Sequence, residues 1–378
     1  MKLYYNTIII GLLLISCGQE KQSELPEFPV DINQNISLSL SEIAEEITSV
    51  ELELTDESMI NSDNFMRVII TENNIILAEI GGLFTTRPVL VFNRDGKFVR
   101  SVGSNGQGPG EYSNILNVAF DEKNSRLFIL SNNPDRIICY QSDGTFLKEA
   151  RLNLNSFDYD ILYNNNELFF VCMGIIDRHN TKKSVYRMNE NLQVKDSIIC
   201  FESYFEDSAN EGPFASDYII KNQTSIYIYS KEVYSKWDPP TVKVSRDTLY
   251  RLEENKLIPE LKLKFANNGF DRYGDKIIDL FNFYRSSRYI FANYKYNPNN
   301  RERNTEFPKM SYFCYDTKTG KGYNMLEGYT DDINRIEERV IIHPLTTNSE
   351  YFYYWHTNMH PNDLQEPNPT LYIGKLKK

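Results

Sequence analysis

Short apolar runs separated by turns recur along the chain. "VLVFNRDGKFVRSV" (89–102) and "RIICYQSDGTFLKEARL" (136–152) each consist of an apolar run, an Asp-Gly turn and a second run. Asp-Gly favours tight hairpin turns, because these turns need residues that tolerate positive φ. The pattern therefore predicts antiparallel β-hairpins.

The same unit occurs six times. The further copies are "VYRMNENL" (185–192), "LYRLEENK" (249–256), "FCYDTKTGKGYNM" (313–325) and "TLYIGKLKK" (370–378). One aromatic residue marks each copy, at intervals of 46 to 65 residues: Phe92, Tyr140, Tyr186, Tyr250, Tyr315 and Tyr372. These intervals suit a four-stranded blade with variable loops. We predict an all-β, six-bladed β-propeller of four-stranded antiparallel blades, with the marker on each third strand.

The sixth unit has no room for a fourth strand before Lys378. An open ring would leave an unpaired strand edge, which promotes aggregation. The segment "ISLSLSEIAEEITSVELELTDES" (36–58) contains the alternating run Val50–Leu54, which is suited to an outer strand. We predict that this N-terminal strand pairs with the C-terminal strand and closes the ring, after a short helix capped by Ser41.

The N-terminal residues up to Cys17 have the pattern of a targeting segment. Lys2 precedes an apolar run from Ile8 to Ile15 that is too short to span a bilayer. Leu14-Ile15-Ser16-Cys17 resembles the lipobox of bacterial lipoproteins, which implies cleavage before Cys17 and its acylation; an ordinary signal peptide is the alternative. The predicted organisation is a signal peptide (1–16), a lipid-anchored flexible tether (17–35) and one propeller domain (36–378).

Composition agrees with this interpretation and narrows the range of possible binding partners. The chain has 26 Tyr and 22 Phe, residues that favour strands. A net charge of −11 argues against a nucleic-acid partner. Cys139, Cys172, Cys200 and Cys314 lie singly in apolar runs, which predicts buried free thiols.

Four glycines lie in "VGSNGQGPGEY" (102–112). A phosphate-binding loop would open a helix, whereas this one leads through Glu111-Tyr112 into the strand-like run "ILNVAF". We predict a crossing between the first and second blades. The alternative is a ligand contact through the backbone amides of the loop.

The lipobox, the "LSEIAEEITSVELELTDES" segment and the glycine loop together resemble the six-bladed β-propeller lipoproteins of Gram-negative bacteria, with NHL- and TolB-like repeats. The resemblance implies a propeller fold and a cell-envelope location. It implies no reaction, because members of that group mostly have no established activity.

Several long loops are predicted to join the second and third strands of the blades, on one face of the propeller. They carry the candidate ligand-binding residues Arg87, Arg178, His179, Trp237, Arg246, Arg301 and Arg303. Arginine suits an anionic or carbohydrate-like ligand, because its planar guanidinium group can donate two hydrogen bonds to one carboxylate. Solvated or ion-paired arginines are the alternative.

A metal site is a weaker hypothesis. His356 and His360 are four residues apart, Asp363 is close in sequence, and His343 lies one strand away, so calcium or zinc is conceivable. The carboxylate pairs Asp158/Asp160 and Asp331/Asp332 are expected at the surface. No nucleophile motif occurs, so no catalytic residue is predicted.

We therefore predict a membrane-anchored binding module of the cell envelope, without a required cofactor. Its ligand would be a small molecule, a glycan or a protein. The alternatives are a metal-dependent hydrolase or lyase acting at the channel mouth, and a scaffold for another envelope protein.

Overall fold

Antiparallel sheets form wherever the apolar runs alternate with turns. The computed structural model describes residues 25–60, 66–80, 87–132, 135–152, 156–175, 180–204, 218–229, 247–269, 277–297, 310–357 and 367–378. Six sheets of four antiparallel strands form the blades of a propeller, as predicted, and the fourth blade carries one additional parallel strand.

An N-terminal segment precedes the first blade, and a short parallel ribbon joins the first blade to the second. The elements of the N-terminal segment are β1 (Glu27–Val30), α1 (Leu40–Ile43) and β2 (Ala44–Glu51). The first blade consists of β3 (Met66–Ile70), β4 (Asn74–Glu79), β5 (Val89–Asn93) and β6 (Phe98–Val102). The ribbon consists of β7 (Ser104–Asn105) and β8 (Glu111–Tyr112).

The next three blades repeat the same strand order. The second consists of β9 (Asn114–Asp121), β10 (Arg126–Asn132), β11 (Arg136–Gln141) and β12 (Phe146–Arg151). The third consists of β13 (Ser156–Asn164), β14 (Glu167–Ile175), β15 (Asn180–Met188) and β16 (Val194–Tyr204). The fourth consists of β17 (Tyr218–Asn222), β18 (Ser225–Tyr229), β19 (Thr248–Glu253) and β20 (Lys256–Phe265), followed by a 3-10 turn, Ala266–Gly269.

A two-stranded ribbon separates the last two blades. The fifth blade consists of β21 (Ile278–Arg285), β22 (Tyr289–Tyr296), β23 (Met310–Asp316) and β24 (Lys321–Leu326). The ribbon is β25 (Tyr329–Asp331) and β26 (Ile336–Val340). The sixth blade contains β27 (His343–Pro344), β28 (Tyr351–His356) and β29 (Thr370–Leu376). All six aromatic markers lie on the third strand of their blade, as predicted.

The hydrophobic core lies in the seams between blades. One cluster of buried side chains joins the first and second blades, a second joins the second and third, and a third joins the third and fourth. A larger cluster fills the seams among the last three blades, and another joins the sixth blade to the first. Burial of apolar surface therefore holds neighbouring blades together.

The N-terminal strand closes the ring, as predicted. β2 pairs antiparallel with β29, so the sixth sheet has the order β2-β29-β28-β27. The predicted bounds of this strand were wrong, because it covers Ala44–Glu51 rather than Val50–Leu54. The predicted helix cap was also wrong. Ser39 is the N-cap, its amide donates to Glu42 Oε2 at 3.0 Å, and Ser41 Oγ instead donates to Asp332 Oδ2 at 2.5 Å.

Residues 25–54, which we call the strap, contact four blades. β1 pairs in parallel with β20 of the fourth blade, and the Ile36 amide donates to the Asn324 carbonyl of the fifth blade at 2.8 Å. After β2, the Glu53 amide donates to the Gly96 carbonyl of the first blade at 2.9 Å. Residues 27–30 were expected to belong to a flexible tether. They form a strand instead, so the ordered fold begins before residue 36.

The glycine-rich segment crosses from β6 to β9, which confirms the predicted inter-blade crossing. Its own carboxylate occupies the loop, since Glu111 Oε2 accepts from the Gly108 amide at 2.8 Å. Tyr112 is fully buried; its hydroxyl donates to the Val102 carbonyl at 2.5 Å and accepts from the Val89 amide at 3.0 Å. Gly103 has φ +75°, and a Cβ there would lie 2.3 Å from the Tyr112 ring. The glycines therefore let the crossing pack closely against this tyrosine.

Deletion of residues 36–54 should open the ring. The unpaired β29 edge and the exposed seam should cause aggregation and lower the melting temperature by roughly 10 °C or more. The double variant Thr48→Ser/Ser49→Ala, which alters two exposed positions of β2, should melt as the parent does. Thermal unfolding followed by circular dichroism checks this, and an unchanged melting curve for the deletion would contradict closure by β2.

Replacement of Tyr112 by Phe should destabilise the crossing, because the buried Val89 amide loses its acceptor. The expected loss in the free energy of unfolding is about 1–3 kcal/mol. Tyr315→Phe is the control, since its hydroxyl has no hydrogen bond to the described residues and its loss should cost little. Denaturant titration of the two variants checks this; equal stabilities would show that the tyrosine does not anchor the crossing.

Candidate functional site

Propeller geometry defines two faces and an axis. The first strand of each blade lies innermost. The turns between first and second strands and between third and fourth strands emerge on one side, which we call the short-turn face. The loops between second and third strands, together with the crossings between blades, emerge on the opposite side, which we call the long-loop face.

A polar network links the innermost strands of three consecutive blades. Arg67 of β3 donates from Nη2 to Asp160 Oδ1 of β13 at 2.7 Å and from Nε to Asn117 Oδ1 of β9 at 2.9 Å. Asn117 Nδ2 donates to the same Asp160 oxygen at 2.9 Å. The three side chains therefore form one axial network.

The network also reaches the fourth blade and is almost completely enclosed. The Ile219 amide of β17 donates to Asp160 Oδ2 at 2.9 Å. Arg67, Asn117 and Asp160 are only 8%, 3% and 2% exposed. Burying a charged pair costs desolvation energy that its mutual attraction repays only in part. Such a pair in the centre of an apolar fold is therefore a candidate for function as well as for structure.

Backbone hydrogen bonds join two non-adjacent blades at their short-turn ends. The Lys221 amide of β17 donates to the Thr346 carbonyl at 2.8 Å, and the Ser349 amide donates to the Lys221 carbonyl at 2.9 Å. Thr346 and Ser349 lie between β27 and β28, so these bonds join the fourth blade directly to the sixth.

His343 stands beside this network on β27. Its ring stacks on Tyr353, with centroids 5.3 Å apart, and lies 6.3 Å from the ring of Trp355. Burial, helped by the charge of Arg67, lowers the pKa of His343 to about 4. The imidazole is therefore neutral at physiological pH and offers an acceptor nitrogen.

The structure does not assemble the hypothetical metal site from the residues it describes. His356 ends β28, and its Nε2 lies 4.0 Å from Glu338 Oε2. His360 and Asp363 lie outside the described residues. Within the described ranges, no group of three or more His, Cys, Asp or Glu side chains is placed to hold a metal ion.

Arg87 is the ligand-binding candidate that lies inside the described ranges. Its Nη1 donates to the Met59 carbonyl at 2.6 Å, and its Nε lies 3.7 Å from Glu79 Oε2. Burial raises the pKa of Glu79, and the charge of Arg87 opposes that rise. The other candidates fall outside the described residues: Arg178, His179, Trp237, Arg246, Arg301 and Arg303.

Two carboxylates expected at the surface are buried, so that expectation was wrong for them. Asp160 belongs to the axial network, and Asp331 accepts from the Tyr354 hydroxyl at 2.6 Å and from Asn334 Nδ2. Both are buried because hydrogen-bond donors surround them. The sequence did carry a signal for the network: Arg67 and Asn117 each interrupt an apolar run at the start of a blade.

Three of the predicted buried thiols are confirmed. Cys139, Cys172 and Cys314 are buried, and none of them forms a disulfide. Burial raises the pKa of Cys139 to about 11, which keeps the thiol protonated and unreactive. Cys200 lies on β16, and its side chain is outside the description. In the described part of the chain, no helix is long and apolar enough to cross a membrane.

His343 should make stability depend on pH. The unfolded chain binds this proton below about pH 6.5, whereas the folded protein resists it until about pH 4, so acidification favours unfolding. Between pH 7 and pH 5 His343 should remove about 2 kcal/mol of unfolding free energy. Denaturant titrations at the two pH values measure this. Between pH 7 and pH 5 the His343→Gln variant should lose about 2 kcal/mol less unfolding free energy than the parent does. Identical pH profiles for parent and variant would contradict the lowered pKa of His343.

Two solved structures from Bacteroides are similar to this chain. A crystal structure of a protein described as exported, from Bacteroides fragilis NCTC 9343, matches with a TM-score of 0.62 at 16% identity, over 93% of this chain and 99% of that one. A protein of Bacteroides thetaiotaomicron VPI-5482 matches with a TM-score of 0.44 at 10% identity, over 88% and 76% of the two chains. The first similarity supports the fold alone.

The sequence comparisons supply a family. No curated protein sequence matches the chain. A family profile described as "Domain of unknown function (DUF4934)" matches residues 25–377, which include the strap and all six blades. The chain therefore belongs to the DUF4934 family.

Proposed function

We propose that this protein is an extracytoplasmic binding module that takes its ligand at the axis, from the long-loop face. The observation that carries the proposal is the buried network of Arg67, Asn117 and Asp160 on three innermost strands. The innermost strands hold these groups, and backbone hydrogen bonds join the fourth and sixth blades at the short-turn end. Polar groups held on rigid strands where several elements converge are typical of ligand sites.

The long loops would complete the site above the network. They carry Arg178, Arg246, Arg301 and Arg303 in a chain of net charge −11. Cations gathered on one face of an acidic protein suit an anionic glycan or peptide, which the remaining surface would repel. Arg87, held by Glu79 and the Met59 carbonyl, would form part of the rim.

We place the protein in the cell envelope, anchored through acylated Cys17. The lipobox-like Leu14-Ile15-Ser16-Cys17 supports the anchor, and the Bacteroides fragilis protein described as exported supports a location outside the cytoplasm. The relation to NHL- and TolB-like repeats stays a prediction.

Cys17→Ser should release the protein from membranes, because the acyl acceptor is lost. Fractionation of cells that express the full chain, with labelled palmitate incorporation, measures this. Cys139→Ser is the matched control: it changes a buried thiol and should leave both membrane association and labelling intact. Continued membrane association of the Cys17 variant would contradict the lipid anchor.

A panel of uronic-acid oligosaccharides and acidic peptides tests the ligand class. A ligand at 100 times its Kd stabilises the folded state by about 2.7 kcal/mol, which raises the melting temperature measurably. Arg301→Gln/Arg303→Gln should lose most of that rise, whereas Lys123→Gln, an exposed change at a short turn, should keep it. Equal shifts for both variants would contradict binding at the long-loop face.

Elemental analysis tests the alternative, a metal-dependent hydrolase or lyase. That alternative needs a bound metal near His356, His360 and Asp363. On our proposal, chelator treatment should leave the melting temperature unchanged, and neither calcium nor zinc should be present in stoichiometric amount. A stoichiometric metal whose removal lowers the melting temperature would overturn the proposal in favour of the metal-dependent enzyme.

A further inference from the structure

We infer that the short-turn face lies against the membrane, and that exposed apolar side chains on the first three blades rest on the lipid bilayer there. This inference rests on the proposed lipid anchor at Cys17. It adds an interaction surface and an orientation: the long-loop face, with the axial site, would point away from the membrane.

Exposed apolar side chains lie at the beginning of the outermost strands of three consecutive blades. Val99 is the second residue of β6, Phe146 and Leu147 begin β12, and Val194 begins β16. Their exposed fractions range from 39% to 48%. An outermost strand begins at the turn that follows the third strand, so all four residues lie at the rim of the short-turn face; the Phe146 ring also packs against Tyr140 and Gly110. We call this set the apolar arc.

The arc is continuous from blade to blade. Arg100, next to Val99, donates from Nη1 to the Ser142 carbonyl in the short turn of the second blade at 3.4 Å. Lys148, next to Leu147, donates from Nζ to the Glu190 carbonyl in the short turn of the third blade. The three strand starts are therefore tied side by side along one rim.

The other exposed large apolar side chains of the described ranges are placed differently. Ile199 lies further along β16, and Ile36 belongs to the strap. Met59, Ile333 and Ile341 belong to the connections that lead into the first and sixth blades. The apolar arc is thus the set in which neighbouring blades expose apolar side chains at the start of the outermost strand.

Two carboxylates beside the arc are paired with lysines, whereas the exposed Asp95 and Asp143, in the turns that lead into β6 and β12, have no ion pair among the described residues. Lys97 Nζ lies 3.4 Å from Glu53 Oε1, close to Val99. Lys195, next to Val194, pairs with Glu167. These pairs neutralise carboxylates that would otherwise be repelled by a bilayer containing anionic lipid.

The direction of β1 brings the tether from the same face. β20 starts at a short turn and runs towards the long-loop face, and β1 runs parallel to it, with Glu27 opposite Lys262 and Val30 opposite Phe265. The Lys262 amide donates to the Pro26 carbonyl at 2.9 Å, which extends the contact upstream of β1. The chain therefore enters the fourth blade from the short-turn side.

The tether is long enough to bring this face to the lipid. Cys17 and Glu27 are ten residues apart, a span of at most about 35 Å when fully extended. Lys262 is six residues from the start of β20, which places the short-turn rim about 20 Å from Glu27. The other end of β20, at Phe265, is only three residues from Lys262, so the direction of β1, and not the length of the tether, selects the face. With the anchor holding the rim close, even a weak apolar contact is made at a high effective concentration.

Nitroxide labels on the full lipidated chain test the orientation. The labels are attached at Leu147→Cys and, separately, Val194→Cys on the arc. The control is Glu338→Cys, because Glu338 is 72% exposed and adjoins His356, where the long loop of the sixth blade begins. The parent chain gives the background from native cysteines. Each protein is reconstituted into vesicles of phosphatidylethanolamine and phosphatidylglycerol.

Power saturation compares access of each label to oxygen, which concentrates in lipid, with access to a water-soluble nickel complex. The inference predicts that vesicles raise the oxygen-to-nickel ratio several-fold at residues 147 and 194 and leave it unchanged at residue 338. If the protein floats with the vesicles while residues 147 and 194 stay in water, the orientation is wrong and the anchor stands. A rise at residue 338 alone would reverse the orientation. Failure to float would overturn the anchor itself, and this inference with it.

Discussion

Backbone pairing between β2 and β29 holds the ring of blades closed. Each seam of the propeller buries a hydrophobic cluster. That cluster stabilises the fold only while the blades on both sides of the seam stay in contact. The sixth blade takes its outer strand from the N-terminal segment, and the same segment crosses the edges of the fourth and fifth blades before reaching the first. One stretch of chain therefore determines whether the axial strands converge, and with them Arg67, Asn117 and Asp160.

The closed ring has two unlike faces. One face carries the short turns, the backbone link between the fourth and sixth blades and the apolar arc. The other face carries the long loops and, on our proposal, the approach to the axial network. The strap determines which of the two faces lies on the side of the proposed anchor, because the direction of β1 sets the side from which the tether arrives. A propeller fold is compatible with many activities, so function must be argued from these groups rather than from the architecture.

Much of the fold was predictable from the sequence, because repetition is a strong signal. Six aromatic markers and Asp-Gly turns located every third strand, and the missing fourth strand of the last blade led to closure by the N-terminus. The details of that strand were less predictable. Val50–Leu54 alternates more regularly than Ala44–Glu51, yet the register follows from where Ile47 and Thr48 meet Gly374 and Ile373. Tertiary pairing therefore overrode the local pattern.

The candidate site was harder to predict, since it depends on residues far apart in sequence. Asp160 looked like one of many surface carboxylates, and only the convergence of β3, β9 and β13 pairs it with Arg67 and Asn117. Ser39 has Glu42 three residues further on, which completes a capping box, whereas Ser41 has Ala44 at that position; the sequence therefore carried a signal for Ser39 that the prediction missed. The loop arginines follow from composition alone, and their grouping around the axis stays a prediction.

Hydrogen–deuterium exchange of the intact protein, read out by mass spectrometry at peptide resolution, tests the central claim most directly. If the strap closes the ring, amides of β2 should exchange as slowly as those of β28 and β29, and all three should become exposed together as denaturant is added. Rapid exchange throughout β2, with β28 and β29 still protected, would contradict the account, because the blades would then hold together without the N-terminal strand.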